Sequence, residues 1–346
     1  YERGALVGRS TFGVVHRGRH VSLGRALAIK EATSVFDFAT YLSRERIVER
    51  IRSAVEAQAG LEHPYVLQIF DQNTEREHPY FVGELGVGGN LRRRLEAADG
   101  HLDASFAVRA FLQVALALEH AHARGRLHLG LKPENVLFDA LGNIKVTDFG
   151  MSRVLDHPPE AAGPAPVIVG GNGVAYLAPE LLQPAPPAEP GPSVDIYALG
   201  ILAYEMLTGR LPGRRSPLPS AAREGIPEAF DEVFDRMTRD ALEERYASME
   251  EVLEGVYRAF DPALVFERGT LLGWARDPGP LPEPPPEASE PVEEVEEAAL
   301  EPLDEDHPTP PPVVAQTPSG APPPAADDLD LSRRGPRRSP PPPPEE

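Results

Sequence analysis

Residues 6–15, LVGRSTFGVV, run apolar, then glycine and polar, then apolar, which predicts a strand, a turn and a returning strand. Ala26-Leu27-Ala28-Ile29-Lys30 is a third apolar strand, ending in charge. The period then changes. In the Arg- and Glu-rich residues 42–59, Ile47, Ile51 and Val55 recur every fourth position and predict a helix with one apolar stripe. Residues 66–70 and 80–84 read as strands again, and Gly88-Gly89-Asn90-Leu91 turns into a helix. Residues 104–124 form a long amphipathic helix that Gly125 ends, with His120 and His122 as ordinary helix histidines. Short β runs at 136–138 and 144–147 flank the turn Asp139-Ala140-Leu141-Gly142. A further helix opens at Ser193 and stops at Gly209, and residues 227–238 and 248–260 predict the closing helices.

Beyond Phe260 the pattern thins. Residues 262–276 hold Val265, Phe266, Leu271, Leu272 and the only tryptophan, Trp274, and read either as an extra docked helix or as a motif for a transient partner. From 277 onward Pro, Glu and Ala leave almost nothing to bury, so an acidic, Pro-rich disordered tail is expected over 277–346. Thr309-Pro310, Thr317-Pro318 and Ser339-Pro340 are candidate phosphorylation sites. Arg333-Arg334 and Arg337-Arg338 before the last proline run suggest either a polyproline-type partner site or a solvated linker.

Composition narrows the function classes. The chain has 346 residues, 41% of them hydrophobic, enough for one two-lobed domain and a tail. With 34 Lys+Arg against 54 Asp+Glu, the net charge of -20 argues against binding nucleic acid or an anionic membrane through bulk charge. There is no cysteine, which excludes disulfides, thiolate metal sites and a cysteine nucleophile and fits a cytoplasmic setting. No apolar run approaches the ~20 residues of a membrane span, and no signal peptide is evident. The chain opens at Tyr1, already inside a strand, so it reads as a trimmed or partial chain.

The chemistry concentrates in residues 126–150, RLHLGLKPENVLFDALGNIKVTDFG. His128-Leu129-Gly130-Leu131-Lys132-Pro133-Glu134-Asn135 followed by Asp148-Phe149-Gly150 resembles the catalytic loop H-R-D-L-x-x-x-N and the D-F-G turn of protein kinases. Residues 8–15 resemble the phosphate-covering loop G-x-G-x-x-G-x-V, with Gly8, Gly13 and Val15 in place and Ser10 at the middle glycine. Alone, such a hairpin is weak evidence. Ala28 and Lys30 match V-A-I-K, Ala178-Pro179-Glu180 matches A-P-E, and Ser193-Val194-Asp195-Ile196-Tyr197 and Glu244-Arg245-Tyr246 follow in family order. Chance assembly of all of these is improbable, and residues 1–260 resemble the eukaryotic-like serine/threonine kinases. Alanine- and arginine-rich usage suggests a bacterial source.

That resemblance implies an α+β bilobal fold, with a β-rich lobe over 1–85 and a helical lobe over 86–260. It implies ATP and Mg2+ as cofactors, with Lys30 on the phosphates, backbone of Glu84 and Gly86 on adenine, and Gly8, Ser10, Gly13, Val15, Ala28 and Leu137 around the nucleotide. Asn135 and Asp148 would hold the metal, and Lys132 would serve phosphoryl transfer. His128, Phe149, Asp195 and the pair Glu180–Arg245 would be structural. Gly83 stands at the position that controls the rear of the pocket, so a deep pocket is expected.

Departures from the pattern are as informative. Gly130 occupies the place of the catalytic aspartate, Leu129 that of the arginine and Gly173 that of a bracing threonine. The helix glutamate that pairs the lysine falls on Ala54, and Glu56 lies two positions on, about 200° round the helix. Ser152 and Tyr176 are the hydroxyl-bearing residues between 151 and 177. The expectation is a signalling pseudokinase that binds ATP and protein partners, through its lobe or its tail, with phosphotransfer lost or weak. The alternatives are an active kinase using Glu134 or Asp139 as base, and a nucleotide-free scaffold.

Overall fold

The computed structural model describes residues 1–260 apart from 11, 39–40, 99–100, 156–170, 184–186 and 188. The expectations for 262–276 and for the tail therefore lie outside the described residues.

The chain begins with three antiparallel strands, β1 (Glu2–Arg9), β2 (Val14–Arg19) and β3 (Ala26–Glu31). A short helix, α1 (Val35–Phe38), and a long one, α2 (Arg44–Ala59), precede β4 (Ile69–Asn73) and β5 (Tyr80–Gly83). The five strands form one sheet in the order β1-β2-β3-β5-β4. Register places Val15 opposite Lys30 and Lys30 opposite Phe81, with Ala28 opposite Gly83. Alternation along β3 thus puts Ala28 and Lys30 on one face of the sheet.

Ser43 caps α2 by accepting the Arg46 N–H at 3.3 Å, and the buried stripe Ile47, Ile51, Ala54, Val55 and Gln58 faces inward. The helix starts two residues later than its apolar pattern predicts, at its cap. The strand expected over 66–70 is displaced to Ile69–Asn73 because Val66 and Leu67 are already engaged. Val66 bridges Val146, and the Leu67 N–H donates to the Val146 carbonyl at 2.9 Å.

The second part is helical. In chain order it holds α3 (Leu91–Ala97), α4 (Ala104–His122), the hairpin β6 (Val136–Phe138) and β7 (Ile144–Val146), α5 (Ser193–Thr208), α6 (Pro219–Ala222), α7 (Glu228–Met237) and α8 (Met249–Ala259). Its core packs α4 (Phe111, Leu112, Leu118) against α5 (Leu199, Leu202, Met206) and the hairpin residues Val136 and Ile144. Each such side chain buried contributes about 1.5–3 kcal/mol. Gly209 ends α5 with φ 71°, a left-handed cap that a residue with a Cβ would strain. Residues 210–225 yield only the four-residue α6. Arg245, fully buried, makes a two-pronged ion pair with Glu180 at 2.8 and 2.7 Å, tying the A-P-E turn to the segment before α8. Among the described residues no helix is long and apolar enough to cross a membrane.

Candidate active site

A cavity of about 700 Å³ lies where β1–β3 and β5 face the β6–β7 hairpin and the loops around it. Gly8, Ser10, Val15, Ala28, Lys30, Glu84, Gly86, Gly130, Lys132, Asn135, Leu137 and Asp148 all line it, so residues far apart in sequence converge as the motifs predict. Gly13 does not line it. A Cβ there would stand 1.9 Å from the Glu31 carbonyl oxygen, so its missing side chain serves a backbone contact with the end of β3. Ser10 closes the same turn: its N–H donates to the Gly13 carbonyl at 2.8 Å and its hydroxyl accepts the Gly13 N–H at 3.3 Å. Phe12, which sequence reading passed over, is buried against Phe81, and Lys30 Nζ stands 5.3 Å from its ring centroid.

Gly83 lines the cavity with Leu67 and Ile69, but the place its missing side chain would take is already filled. A Cβ at Gly83 would meet the Gln68 carbonyl at 2.8 Å and the Leu67 and Ile69 side chains at 3.3 Å. Main chain and aliphatic carbon occupy the space that the glycine leaves. On the floor, a Cβ at Gly86 would stand 2.9 Å from Leu137 Cβ.

Lys30 Nζ donates to both oxygens of Asp148, at 2.7 and 2.6 Å. Burial would raise the Asp148 carboxyl, but the Lys30 ammonium and its hydrogen bonds outweigh that and hold it below the usual carboxylate range. No carboxylate of α2 takes part: Ala54 offers none, and Glu56 accepts from Gln72 Nε2 at 3.3 Å on the exposed side. Gln58, one turn beyond Ala54, reaches the site instead. Its Oε1 accepts the N–H groups of Asp148 (2.9 Å) and Phe149 (3.2 Å), while Nε2 donates to the Leu67 carbonyl (2.9 Å) and Thr147 Oγ1 (3.4 Å). Sequence reading missed it. The available signal was a polar residue continuing an otherwise apolar stripe.

Asp195 anchors the loop at 128–135. Its carboxylate accepts the N–H groups of His128 and Leu129 at 2.8 Å each, and His122 Nε2 lies 2.8 Å from it. His122 is thus a working member of the anchor, where sequence gave it only an ordinary place on a helix. Burial pushes Asp195 up, and these bonds, the His122 one foremost, bring it below its ordinary value. The buried His128 ring stacks on Phe149 with centroids 4.7 Å apart. Asn135 Nδ2 donates to the Gly130 carbonyl at 2.9 Å.

At Gly130 a Cβ would meet only Ser152, at 3.5 Å from Cβ and 3.8 Å from Oγ, which is ordinary contact. The space for a side chain exists. Leu129, at φ 62°, buries against Ala178 and Val194. Of the nearby carboxylates, Asp139 is fully engaged, while Glu134 lines the cavity and is held through Oε1 alone, its buried Oε2 having no hydrogen bond among the described residues. Glu134 accepts from Arg92 Nε at 3.2 Å, and Asp139 closes the β6–β7 turn by accepting the N–H groups of Leu141 and Asn143 at 2.8 Å each. Both hydroxyls of the following segment are engaged as well: Ser152 Oγ donates to the Leu129 carbonyl at 3.1 Å, and Tyr176 bonds Arg92 and Glu205. Burial and the Glu205 carboxylate push the Tyr176 phenol upward, so it remains a neutral donor.

Comparison with known proteins identifies the family. The family model of the protein kinase domain matches residues 1–256. The chain is 35% identical over 232 residues to CBL-interacting protein kinase 4 of Oryza sativa subsp. japonica, covering 67% of this chain and 49% of that one. It is 29% identical over 275 residues to serine/threonine-protein kinase PrkC of Bacillus subtilis, covering 74% and 40%. With serine/threonine-protein kinase PknL of Mycobacterium bovis the identity is 32% over 247 residues, covering 67% and 59%. The chain spans about half the length of the first of these relatives. A kinase-domain match across nearly all of the described chain, with serine/threonine kinases among its relatives, places this protein in the protein kinase family.

Proposed function

We propose that this domain is a pseudokinase: it binds Mg-ATP and signals through protein contacts, with phosphoryl transfer lost or weak. The observation that carries this reading is Gly130. Phosphoryl transfer relies on positioning and charge stabilisation, and an aspartate at this place orients the acceptor hydroxyl and takes its proton. Losing such a group costs ~10²–10⁴ in rate. Asp139 does not line the cavity and closes a turn, and Glu134 is held beside Arg92 through Oε1, so this reading takes neither as the replacement base.

Nucleotide binding needs other residues, and these fit the group. The cavity falls within the roughly 300–1,000 Å³ of ligand sites, and a Cβ at Gly8 would meet nothing within 4 Å, leaving its rim open to a polyphosphate. Lys30 would neutralise phosphate charge, and Asp148 with Asn135 would hold the magnesium ion. Mg-ATP, when bound, supplies a transferable phosphoryl group. The chain's own residues bind and orient it without a base to deprotonate an acceptor. Partners would be proteins meeting the lobe or the tail, in the cytoplasm.

The test has two arms. A thermal-shift titration is expected to show ATP raising the melting temperature with magnesium present, since a ligand of the folded state stabilises by about 2.7 kcal/mol at 100 times its Kd. No shift would favour a nucleotide-free scaffold. A radiolabelled phosphotransfer assay is expected to show no turnover above that of Asp148→Ala. Turnover that Asp148→Ala abolishes would instead establish an active kinase with an atypical base.

A further inference from the structure

We propose that Gln58 is a positioning residue that sets the Asp148 turn and carries the link between α2 and the cleft. The proposal deepens the nucleotide reading, because it rests on Asp148 as the carboxylate that faces the metal. A carboxamide has two acceptor lone pairs and two N–H donors, and Gln58 uses all four with the bonds given above. It is 3% exposed, so water does not compete for them. Three of the four go to consecutive residues, Thr147, Asp148 and Phe149. The fourth, to the Leu67 carbonyl, fixes the direction in which the amide points.

Asp148 needs such a support. Its φ is 68°, a left-handed conformation that costs a residue with a Cβ ~1–3 kcal/mol and persists only where its surroundings impose it. Gln58 Oε1 grips the peptide N–H on each side of the Asp148 Cα, the two groups whose orientation defines that conformation. Lys30 pulls on the carboxylate but does not touch the backbone. The coupling from α2 to the Asp148 turn itself therefore runs from the last turn of the helix to main chain, while Arg50 and the apolar stripe meet residues 151–155 beyond it. It does not run from Ala54, which has no group to offer Lys30. Moving α2 would move Oε1, and with it the direction of the Asp148 side chain.

The experiment compares Gln58→Met, which keeps length and apolar packing, with Gln58→Glu at mildly acidic pH, where a buried, protonated carboxyl keeps the acceptor oxygen and a donor toward the Leu67 carbonyl. In ligand-free protein, amide hydrogen exchange at 148 and 149 is expected to quicken about tenfold in Gln58→Met, the effect of losing a bond worth about 1.4 kcal/mol. In Gln58→Glu it should remain slow. In ATP titrations, Gln58→Met should weaken binding about tenfold with magnesium present and leave binding in EDTA unchanged, a split that simple destabilisation would not give. Unchanged exchange in Gln58→Met, or equal losses with and without magnesium, would overturn the proposal. If Gln58→Met does not fold, quickened exchange in Gln58→Glu overturns it and retained protection supports it. Should the wild-type protein bind no ATP, the nucleotide reading fails by itself and the exchange result alone judges Gln58.

Discussion

Two regions only a few residues apart have fared differently. The anchor beneath the 128–135 loop is complete: Asp195 holds two backbone N–H groups and His122, and Glu180 and Arg245 form a buried two-pronged pair. The chemical positions above it are emptied, with leucine at 129, glycine at 130 and glycine at 173. The difference follows from what each residue would leave behind. Removing one partner of a buried ion pair strands a charge in low dielectric, which is strongly destabilising. A side chain at 130 faces a cavity, so its absence strands nothing, and the Gly130 carbonyl keeps its bond from Asn135. On the proposed reading, folding and phosphotransfer draw on separate residues, so one set could go while the other stays.

The comparison is broken most directly at Arg245. Arg245→Ala should cost about 3–5 kcal/mol, because Glu180 would be left buried and unpaired. At about 2–4 °C per kcal/mol, the melting temperature falls by on the order of 10 °C. Arg239→Ala is the control. Arg239 bridges Asp235 and Glu244 in solvent, and calorimetry should show its loss to be nearly silent. Equal shifts for the two arginines would deny that the anchor is what holds this lobe.

The complementary change refills the empty side. Gly130→Asp places a Cβ at ordinary contact distance from Ser152, so the variant should fold normally. It should raise phosphotransfer to a generic protein acceptor by ~10²-fold, about 2.7 kcal/mol of barrier. The low end of the acid–base range is expected because Lys30 still has no helix carboxylate at Ala54. No gain would show that Leu129 and Gly173 matter as much as the missing base.

Much of this was legible beforehand, and for a physical reason. Motifs made of local backbone geometry and charge, such as D-F-G, A-P-E and the Asp195 helix start, keep their residue types and spacing, so the fold could be read off; of the cleft, Gly13 was expected and lies outside the lining, and Phe12 was passed over and lies in it. What sequence could not deliver depends on packing between distant segments. Gly83 seemed to promise depth, but whether a missing side chain leaves a hole depends on what Gln68, Leu67 and Ile69 do behind it. Gln58 and His122 are polar residues on apolar helix faces; three of Gln58's four partners lie 89–91 positions away, and Asp195 lies 73 from His122. The Gly83 correction is itself testable. Gly83→Ala would press a Cβ against the Gln68 carbonyl, and overpacking of that kind costs about 1–3 kcal/mol by denaturant melts. A neutral result would restore the deep pocket.

The smallest effect lies at the junction between the sheet-bearing part and α4, where His63 stacks on His120 with ring centroids 4.8 Å apart. Burial, then the His120, Arg124 and Lys145 charges, lower the His63 pKa to about 4. His63 Nδ1 also accepts the Tyr65 N–H at 3.3 Å, which requires that nitrogen to be unprotonated. The folded value lies below the ordinary one near 6.5, so between these two values the unfolded chain binds the proton that the folded protein refuses. This group's contribution is therefore complete above about pH 6.5 and is lost as pH falls toward 4. Stability should fall as pH drops through that window and not recover below it, and His63→Gln should reduce that fall without altering the steeper loss at lower pH. That deeper loss belongs to Asp148 and Asp195, whose lowered carboxyls release their stabilisation only below the ordinary carboxylate range. If the fall survives His63→Gln, it belongs to His120 or to the buried His128, whose pKa values burial lowers as well.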